Sequence, residues 1–361
     1  MKICYIGDAS SVHVHKWANY FTDQGHDVMI ISLSDGQCPG ARIYSFQEEG
    51  FTTKTDVEKL ISYIRYEKKI KKIILSEKPD IIHAHYGTSY GRIAAKLNIH
   101  PYILSVWGSD VYDFPKRSFF HEWLVRYNLK KADVLLSTSR DMKKVTRQYT
   151  DKEIMVTPFG VDTTIYKPLN RKKEKDSFTV GIIKALRENY GINHLIEAYD
   201  DFLQRSGEIK TKLLIGGKGD QEQELRNLVK KRGIENHVEF LGFLNQREVI
   251  ENFNRMDVAV FPVGESFGVA AVEAQSCGCA VIVANGGGLP EATKENYSSI
   301  LIRENSVEDI RDALLFLYDH PSILKQMKEN ARDFVLSHYK IEDNFNDVIR
   351  IYEQNKISWR K

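Results

Sequence analysis

Apolar residues along the chain come in short blocks separated by longer stretches in which they recur at helical intervals. Lys2–Ile6 and Val28–Leu33 read as short, nearly all-apolar strands, and Val12–Thr22 between them has helical spacing. That is one β-α-β unit. The rhythm predicts further helices over Asp56–Ser76, Ser89–Leu97 and Phe119–Lys130, alternating with strands over Asp80–Ala84, Tyr102–Val106 and Asp133–Thr138. Strands this short and apolar, separated by helices, predict a parallel sheet covered on both faces.

The run Asn170–Ser177, NRKKEKDS, holds six charges and no apolar residue, and it predicts a linker over 169–177. The alternation then restarts with strands at Phe178–Ile183, Lys212–Ile215, Val238–Phe240, Val258–Phe261 and Val281–Val283, and from Val307 onward the pattern is almost wholly helical. The expected fold class is α/β: two Rossmann-like, doubly wound parallel-sheet domains over 1–168 and 178–340, followed by a helical segment over 341–361. Open sheets of this kind bind ligands at the carboxyl ends of their strands, so a functional cleft is expected where the two domains face each other.

Composition narrows the partners. The chain has 361 residues, 42% hydrophobic and 28% charged, with 51 Lys and Arg against 49 Asp and Glu, so no basic field marks a nucleic-acid binder. The longest apolar runs, such as Val134–Leu136 and Ala280–Ala284, are too short to span a bilayer, and MKICYIG lacks the features of a signal peptide. A cytosolic location is expected. Four cysteines make no disulfide framework, and the Cys277-Gly278-Cys279 spacing suits neither zinc nor a redox pair, so buried, reduced thiols are expected.

The most informative segment is Gly264–Glu291, GESFGVAAVEAQSCGCAVIVANGGGLPE. Glu265 and Glu273 lie eight residues apart, which puts both carboxylates on one side of a helix that opens near Gly268. The free N–H groups at such a helix start bind anions. A carboxylate beside a phosphate repels it unless it serves another part of the ligand, such as sugar hydroxyls. The pattern therefore points to a ligand with a phosphate and a polyol.

This segment resembles the signature of family 4 retaining glycosyltransferases: E-x7-E, a small-residue helix and a G-G-x-P-E loop. The likeness extends to Leu214–Asp220, LIGGKGD, with Gly217 in the nucleotide-side glycine loop; to Val238–Phe243, VEFLGF, with Phe243 near the base; and to DVAVFP at Asp257–Pro262 and TPFGVD at Thr157–Asp162. The resemblance implies the glycosyltransferase-B architecture, with a nucleoside diphosphate sugar as donor substrate, a UDP-sugar as the expected case, and a saccharide or lipid-linked saccharide acceptor on the N-terminal domain. It implies no cofactor. By position, Glu265 would meet the donor sugar's hydroxyls and Glu273 the ribose, while Phe267, Gly268 and Val269 offer backbone to the diphosphate. It also implies that the last helix returns to the N-terminal domain. The apolar stripe Phe345, Val348, Ile349, Ile351 and Tyr352 suits that, and shortening the chain after Ser337 is expected to cost transfer rate and domain closure.

The chain departs from the family at the diphosphate site. In Gly181–Gly191, GIIKALRENYG, Ala185 and Tyr190 stand where the family has Arg and Lys, so Lys184 and Arg187 are the expected cations, with the ends of a solvated strand and helix as their alternative. No Asp-x-Asp occurs, and no metal site is expected.

On the N-terminal domain, Gly7 and Asp8 open the first βα turn, with His13, His15 and Lys16 just beyond. DIIHAHYG at Asp80–Gly87 makes His85 a ligand-side candidate and His83 a core one. SVWGSD at Ser105–Asp110 resembles the family's H-G-S-D with Trp107 in place of His; Asp110 is either an acceptor-side carboxylate or a turn cap. Residues 1–168 hold 24 Lys and Arg against 19 Asp and Glu. Within them, RYEKKIKK at Arg65–Lys72 and KRSFFHEW at Lys116–Trp123 suit either peripheral attachment to an anionic membrane, at its cytoplasmic face, or a solvated helix beside ordinary core aromatics.

Overall fold

The computed structural model describes residues 1–47, 55–169, 177–207 and 210–359, the side chains of 56, 57 and 59–61 excepted. They form two compact units: Met1–Thr157 with Asn346–Lys361, and Pro158–Phe345. Most of the charged linker, 170–176, lies outside the described residues.

The first unit runs β1 (Lys2–Ile6), α1 (Val12–Asp23), β2 (Asp27–Ser32), β3 (Arg42–Ser45), α2 (Asp56–Glu77), β4 (Ile81–His85), α3 (Ser89–Leu97), β5 (Ile103–Val106), α4 (Ser109–Tyr112), a 3-10 turn (Phe114–Arg117), α5 (Phe119–Lys131), β6 (Val134–Ser137), α6 (Arg140–Thr146) and β7 (Ile154–Val156). Its seven strands are ordered β3-β2-β1-β4-β5-β6-β7, and every pairing is parallel. The chain winds outward from β1 to β3, then returns to β4 and winds the other way. That reversal places a crevice at the carboxyl ends of β1 and β4.

The second unit repeats the plan: β8 (Ser177–Ile183), α7 (Ile192–Ser206), β9 (Lys210–Gly216), α8 (Glu222–Arg232), β10 (Val238–Gly242), α9 (Gln246–Phe253), β11 (Val258–Phe261), α10 (Val269–Ser276), β12 (Ala280–Ala284), α11 (Leu289–Ala292), β13 (Ser299–Ile302), α12 (Val307–Asp319) and α13 (Pro321–His338), followed by α14 (Ile341–Gln354). Its strand order is β10-β9-β8-β11-β12-β13, again all parallel, with the reversal between β8 and β11. β11 and β12 are buried along their whole length, which is why their sequences are continuous apolar runs.

The units divide at Thr157, not at 168. The reason is local bonding: Ser276 Oγ and Arg332 Nη1 both donate to the Tyr166 carbonyl, at 2.6 and 2.7 Å, and Arg332 Nη2 donates to Thr163 O at 2.8 Å. α14 straddles the division, with residues from Asn346 on belonging to the first unit. Among the described residues, no helix is long and apolar enough to cross a membrane, and all four cysteines are buried and free.

Candidate functional site

In the second unit the reversal of strand order brings together the ends of β8 and β11, and with them two residues far apart in sequence. Lys184 follows β8 directly, its amide donating to Gly216 O at 2.9 Å. Its Nζ donates to Glu265 Oε2 at 2.6 Å, and the two side chains are only 15% and 13% exposed. The Tyr190 ring lies 5.1 Å from the same ammonium. Sequence reasoning placed Tyr190 where a cation was expected but gave it no role. The structure shows its ring against the Lys184 ammonium on one side, in a cation–π contact, while Glu265 meets that ammonium by a hydrogen bond.

Glu265 is itself fixed by its backbone. Its carbonyl accepts from Gly288 N at 2.6 Å, so the glycine run 286–288 lies against it, and Glu304 Oε1 accepts from Gly264 N at 2.8 Å. Three residues on, Gly268 caps α10 with φ +98°, and a Cβ there would lie 2.4 Å from Leu289 Cδ2. Only glycine takes that turn, and it leaves the first-turn N–H groups of α10, from Val269 on, without intrahelical partners. Phe267 points inward at 2% exposure against Tyr339, rings 5.2 Å apart, so it offers only backbone to a ligand.

Glu273, half-buried on α10, meets the Tyr166 hydroxyl, which also bonds Gln246. Burial, with Glu273 next, pushes that phenol far above its ordinary pKa, so it stays protonated and donates to the carboxylate. Tyr166 thus orients the candidate ribose carboxylate. No motif marked it; its only signal was an aromatic residue following TPFGVD.

Other predicted donor residues take different places. Gly217 has φ +133°, and a Cβ there would lie 1.8 Å from the Lys184 carbonyl oxygen, so this glycine lets the loop after β9 run against the loop that carries Lys184. Phe243 is 71% exposed. Arg187 is exposed and lines a surface cavity of about 400 Å³ with Glu188, Asn193, Glu197 and Lys231. It is Lys184, not Arg187, that the structure joins to Glu265.

In the first unit, the reversal between β1 and β4 gathers Gly7, His13, His85 and Trp107. A Cβ on Gly7 would lie 3.4 Å from that of His85. The His85 ring lies 4.6 Å from Trp107 and 4.9 Å from Tyr5, and His13 meets Trp107 edge-on at 5.9 Å. His85 is 1% exposed and neither ring nitrogen has a hydrogen-bond partner among the described residues. Burial first, then His83 and His13, drives its pKa well down, so the ring is neutral. His83 is fully buried between two hydroxyls, Tyr352 Oη on Nδ1 and Ser105 Oγ on Nε2, each at 2.7 Å, an arrangement that satisfies either neutral tautomer.

Two candidates prove to be turn anchors. Asp110 is fully buried and spends both oxygens on backbone, accepting from Gly87 N at 2.6 Å, Gly108 N at 2.7 Å and Trp107 N at 3.2 Å. Of its two readings, the structure assigns the cap; the carboxylate sits under the loop instead of facing an acceptor. Asp8 Oδ1 likewise accepts from Ser10 N and Oγ, at 2.9 and 2.7 Å. His15 donates Nε2–H to Ala9 O at 2.6 Å. Among the described residues no group of three or more His, Cys, Asp or Glu could hold a metal.

The buried histidines make a pH prediction. Burial lowers the folded-state pKa of His83 to about 3, below the ordinary 6.5. The unfolded chain therefore binds the extra proton as pH falls below about 6.5, and stability present above that value is lost toward pH 3, at about 1.4 kcal/mol per pH unit for this one group. His83→Gln, which keeps a hydrogen-bonding amide but does not titrate, should flatten the acid side of the first unit's stability profile. An unchanged profile would exclude His83 as a source of acid sensitivity.

Comparison with known proteins agrees with this geometry. The profile of the family described as Glycosyl transferase 4-like matches residues 2–139, and that of Glycosyl transferases group 1 matches 167–334. An uncharacterized glycosyltransferase of Methanocaldococcus jannaschii is 28% identical over 301 residues, covering 81% of each chain. In fold, sucrose-phosphate synthase from Thermosynechococcus elongatus superposes with a TM-score of 0.84 at 18% identity, over 98% of both chains. Anabaena HepE in complex with UDP-glucose gives 0.77 at 16% identity, over 98% of this chain and all of that one. The chain belongs to the family 4-type glycosyltransferases of the glycosyltransferase-B fold.

Proposed function

We propose that this glycosyltransferase moves a hexosyl group from a nucleoside diphosphate sugar, a UDP-sugar in the first instance, to a saccharide or lipid-linked saccharide, with retention at the anomeric carbon and without a metal, in cell-surface polysaccharide or glycolipid synthesis. The observation that carries the reading is the Lys184–Glu265 pair at the β8–β11 reversal. A cation and a carboxylate 2.6 Å apart match a donor whose phosphate and sugar hydroxyls are joined at one bond. The UDP-glucose held by HepE supports the choice of donor.

In this reading Lys184 turns from Glu265 to the diphosphate when donor binds, and Glu265 accepts from sugar hydroxyls. The α10 N-terminus supplies backbone N–H groups for the remaining phosphate charge. As the bond from the anomeric carbon to the phosphate oxygen breaks, the acceptor oxygen bonds to that carbon from the same face. The acceptor's proton passes to the departing diphosphate, so the protein needs only to stabilise the leaving group and align the acceptor.

The test is nucleotide release from UDP-, GDP-, ADP- and dTDP-sugars with and without candidate acceptors, followed by the anomeric configuration of the product. Acceptor-dependent release with retention supports the proposal. Acceptor-independent conversion of the donor makes the protein a hydrolase or epimerase, and donor binding without turnover makes it a binding subunit. Glu273→Ala should weaken donor binding with little change in kcat, because a ribose contact is the same in ground and transition states. Unchanged donor KM and Kd would remove Glu273 from the ribose.

A further inference from the structure

We infer that the outer face of α5, with the turn that precedes it, is a docking surface for an anionic lipid bilayer. α5 has two apolar faces. One buries Val125 and Leu129 in the core of the first unit, with Leu124 buried beside them in sequence. On the other, Phe119 is 85% exposed, Phe120 54% and Trp123 47%, and Phe119 is the most exposed large hydrophobic residue among those described. A helix on a water-facing surface keeps its outer side polar.

Two of the three exposed rings are stacked. Phe120 stacks on Trp123 with centroids 6.0 Å apart, and Trp123 stacks on Tyr127 at 5.7 Å. Tyr127 is held at the base by the guanidinium of buried Arg92, 4.8 Å from its ring. The result is a stacked ladder of Phe120, Trp123 and Tyr127, and Trp and Tyr rings favour the level of lipid headgroups.

Charge selects the partner. From Asp113 to Lys131 the sequence has five Lys and Arg against two Asp and Glu, and one of those two, Glu122, is paired with Arg126 at 2.8 Å. Lys116, Arg117, Arg126 and Lys130 are exposed around the rings. α3 packs between α5 and α2, and α2 adds exposed Ile64 and Leu75 with exposed Lys68, Lys71 and Lys72 between them. A second copy would set this positive surface against itself in a two-fold contact. An anionic bilayer offers negative headgroups for the cations and an apolar layer for the rings. The surface also has a functional address: only Gly108–Ser118 separates α5 from Trp107 at the carboxyl end of β5. A bilayer docked there lies beside the strand ends that carry His85 and Trp107. The docking itself does not depend on what the acceptor is.

The test uses the full chain and vesicles of phosphatidylcholine alone, or of two parts phosphatidylcholine to one part phosphatidylglycerol. Cosedimentation with the anionic vesicles, reversed by salt, is expected. The F119S/F120S/W123S variant, shown by thermal unfolding to stay folded, should bind those vesicles at least about tenfold more weakly. K116E/R117E should lose the preference for anionic over neutral vesicles. Absent or equal binding to both vesicles would overturn the inference. So would a triple variant that binds like the parent, or self-association of the parent that the triple variant abolishes, which would make the face a contact between two copies.

Discussion

Lys184→Ala is expected to lower sugar transfer about a hundredfold or more while the protein stays folded, and Glu265→Ala to do the same. Removing one preorganised charge contact to a reacting group costs about 3–4 kcal/mol of transition-state stabilisation. Ala185 and Tyr190, which the resemblance aligns with a pair of expected cations, carry no charge here, so Lys184 has no evident substitute beside it. The structure also separates catalysis from stability. Each single variant strands a charge that is about one-seventh exposed, whereas the double variant removes both. Thermal unfolding should therefore show the double variant losing less than the two singles combined, while its transfer rate stays at least as low as either. Near-normal turnover in both single variants would overturn the assignment of this pair. Additive stability losses would mean that the two side chains do not share a contact in solution.

Why this pair was only partly legible in the sequence follows from what local patterns encode. The strands of the two central reversals were readable from their apolar runs: Cys4–Ile6 and Val258–Phe261 are unbroken and buried, Ile81–Ala84 is broken only by His83, and β8, half-buried at Thr179, keeps the run Val180–Ile183. β3 was missed because it is an edge strand with no buried residue, β7 because it is three residues long, and β13 because its four residues follow directly on a polar turn. Glu265 was marked by its own helix start. That Lys184 meets it is a fact of strand order, 81 residues away in sequence. Asp110 shows the opposite failure: the type and place of the residue suited both an acceptor contact and a cap, and only burial and three backbone donors decide between them.

The apolar stripe near the end of the chain was legible too, but its weight was not. Val348 and Tyr352 are fully buried or nearly so, and Ile351 and Ile357 are largely buried. Tyr352 packs its ring 5.2 Å from Phe21 and sets its hydroxyl on His83 at 2.7 Å, within the core beneath Tyr5 and Trp17. Beyond α14 the chain is stitched to the turn before β4, with Ile357 N donating to Asp80 O and Trp359 Nε1 to Pro79 O, both at 2.8 Å. Shortening the chain after Ser337 would strip this from the first unit, and Tyr339 with Phe345 from the second, so its first effect is on stability, ahead of any effect on rate. Tyr352→Ala isolates the point. It deletes a buried aromatic ring, at about 3–5 kcal/mol, whereas Tyr352→Phe keeps the ring and leaves His83 Nδ1 without its hydroxyl, at about 1–3 kcal/mol. With two units the unfolding need not be two-state, so hydrogen exchange resolved along the chain is the measurement. Protection of β1 and β4 should fall in the order Phe, then Ala, then the truncation, while in the two Tyr352 variants β8 and β11 keep theirs and donor affinity is retained; the truncation also removes Tyr339, which packs on Phe267 in the second unit. Equal protection of β1 in Tyr352→Ala and the parent would show that α14 lies on the first unit without supporting it.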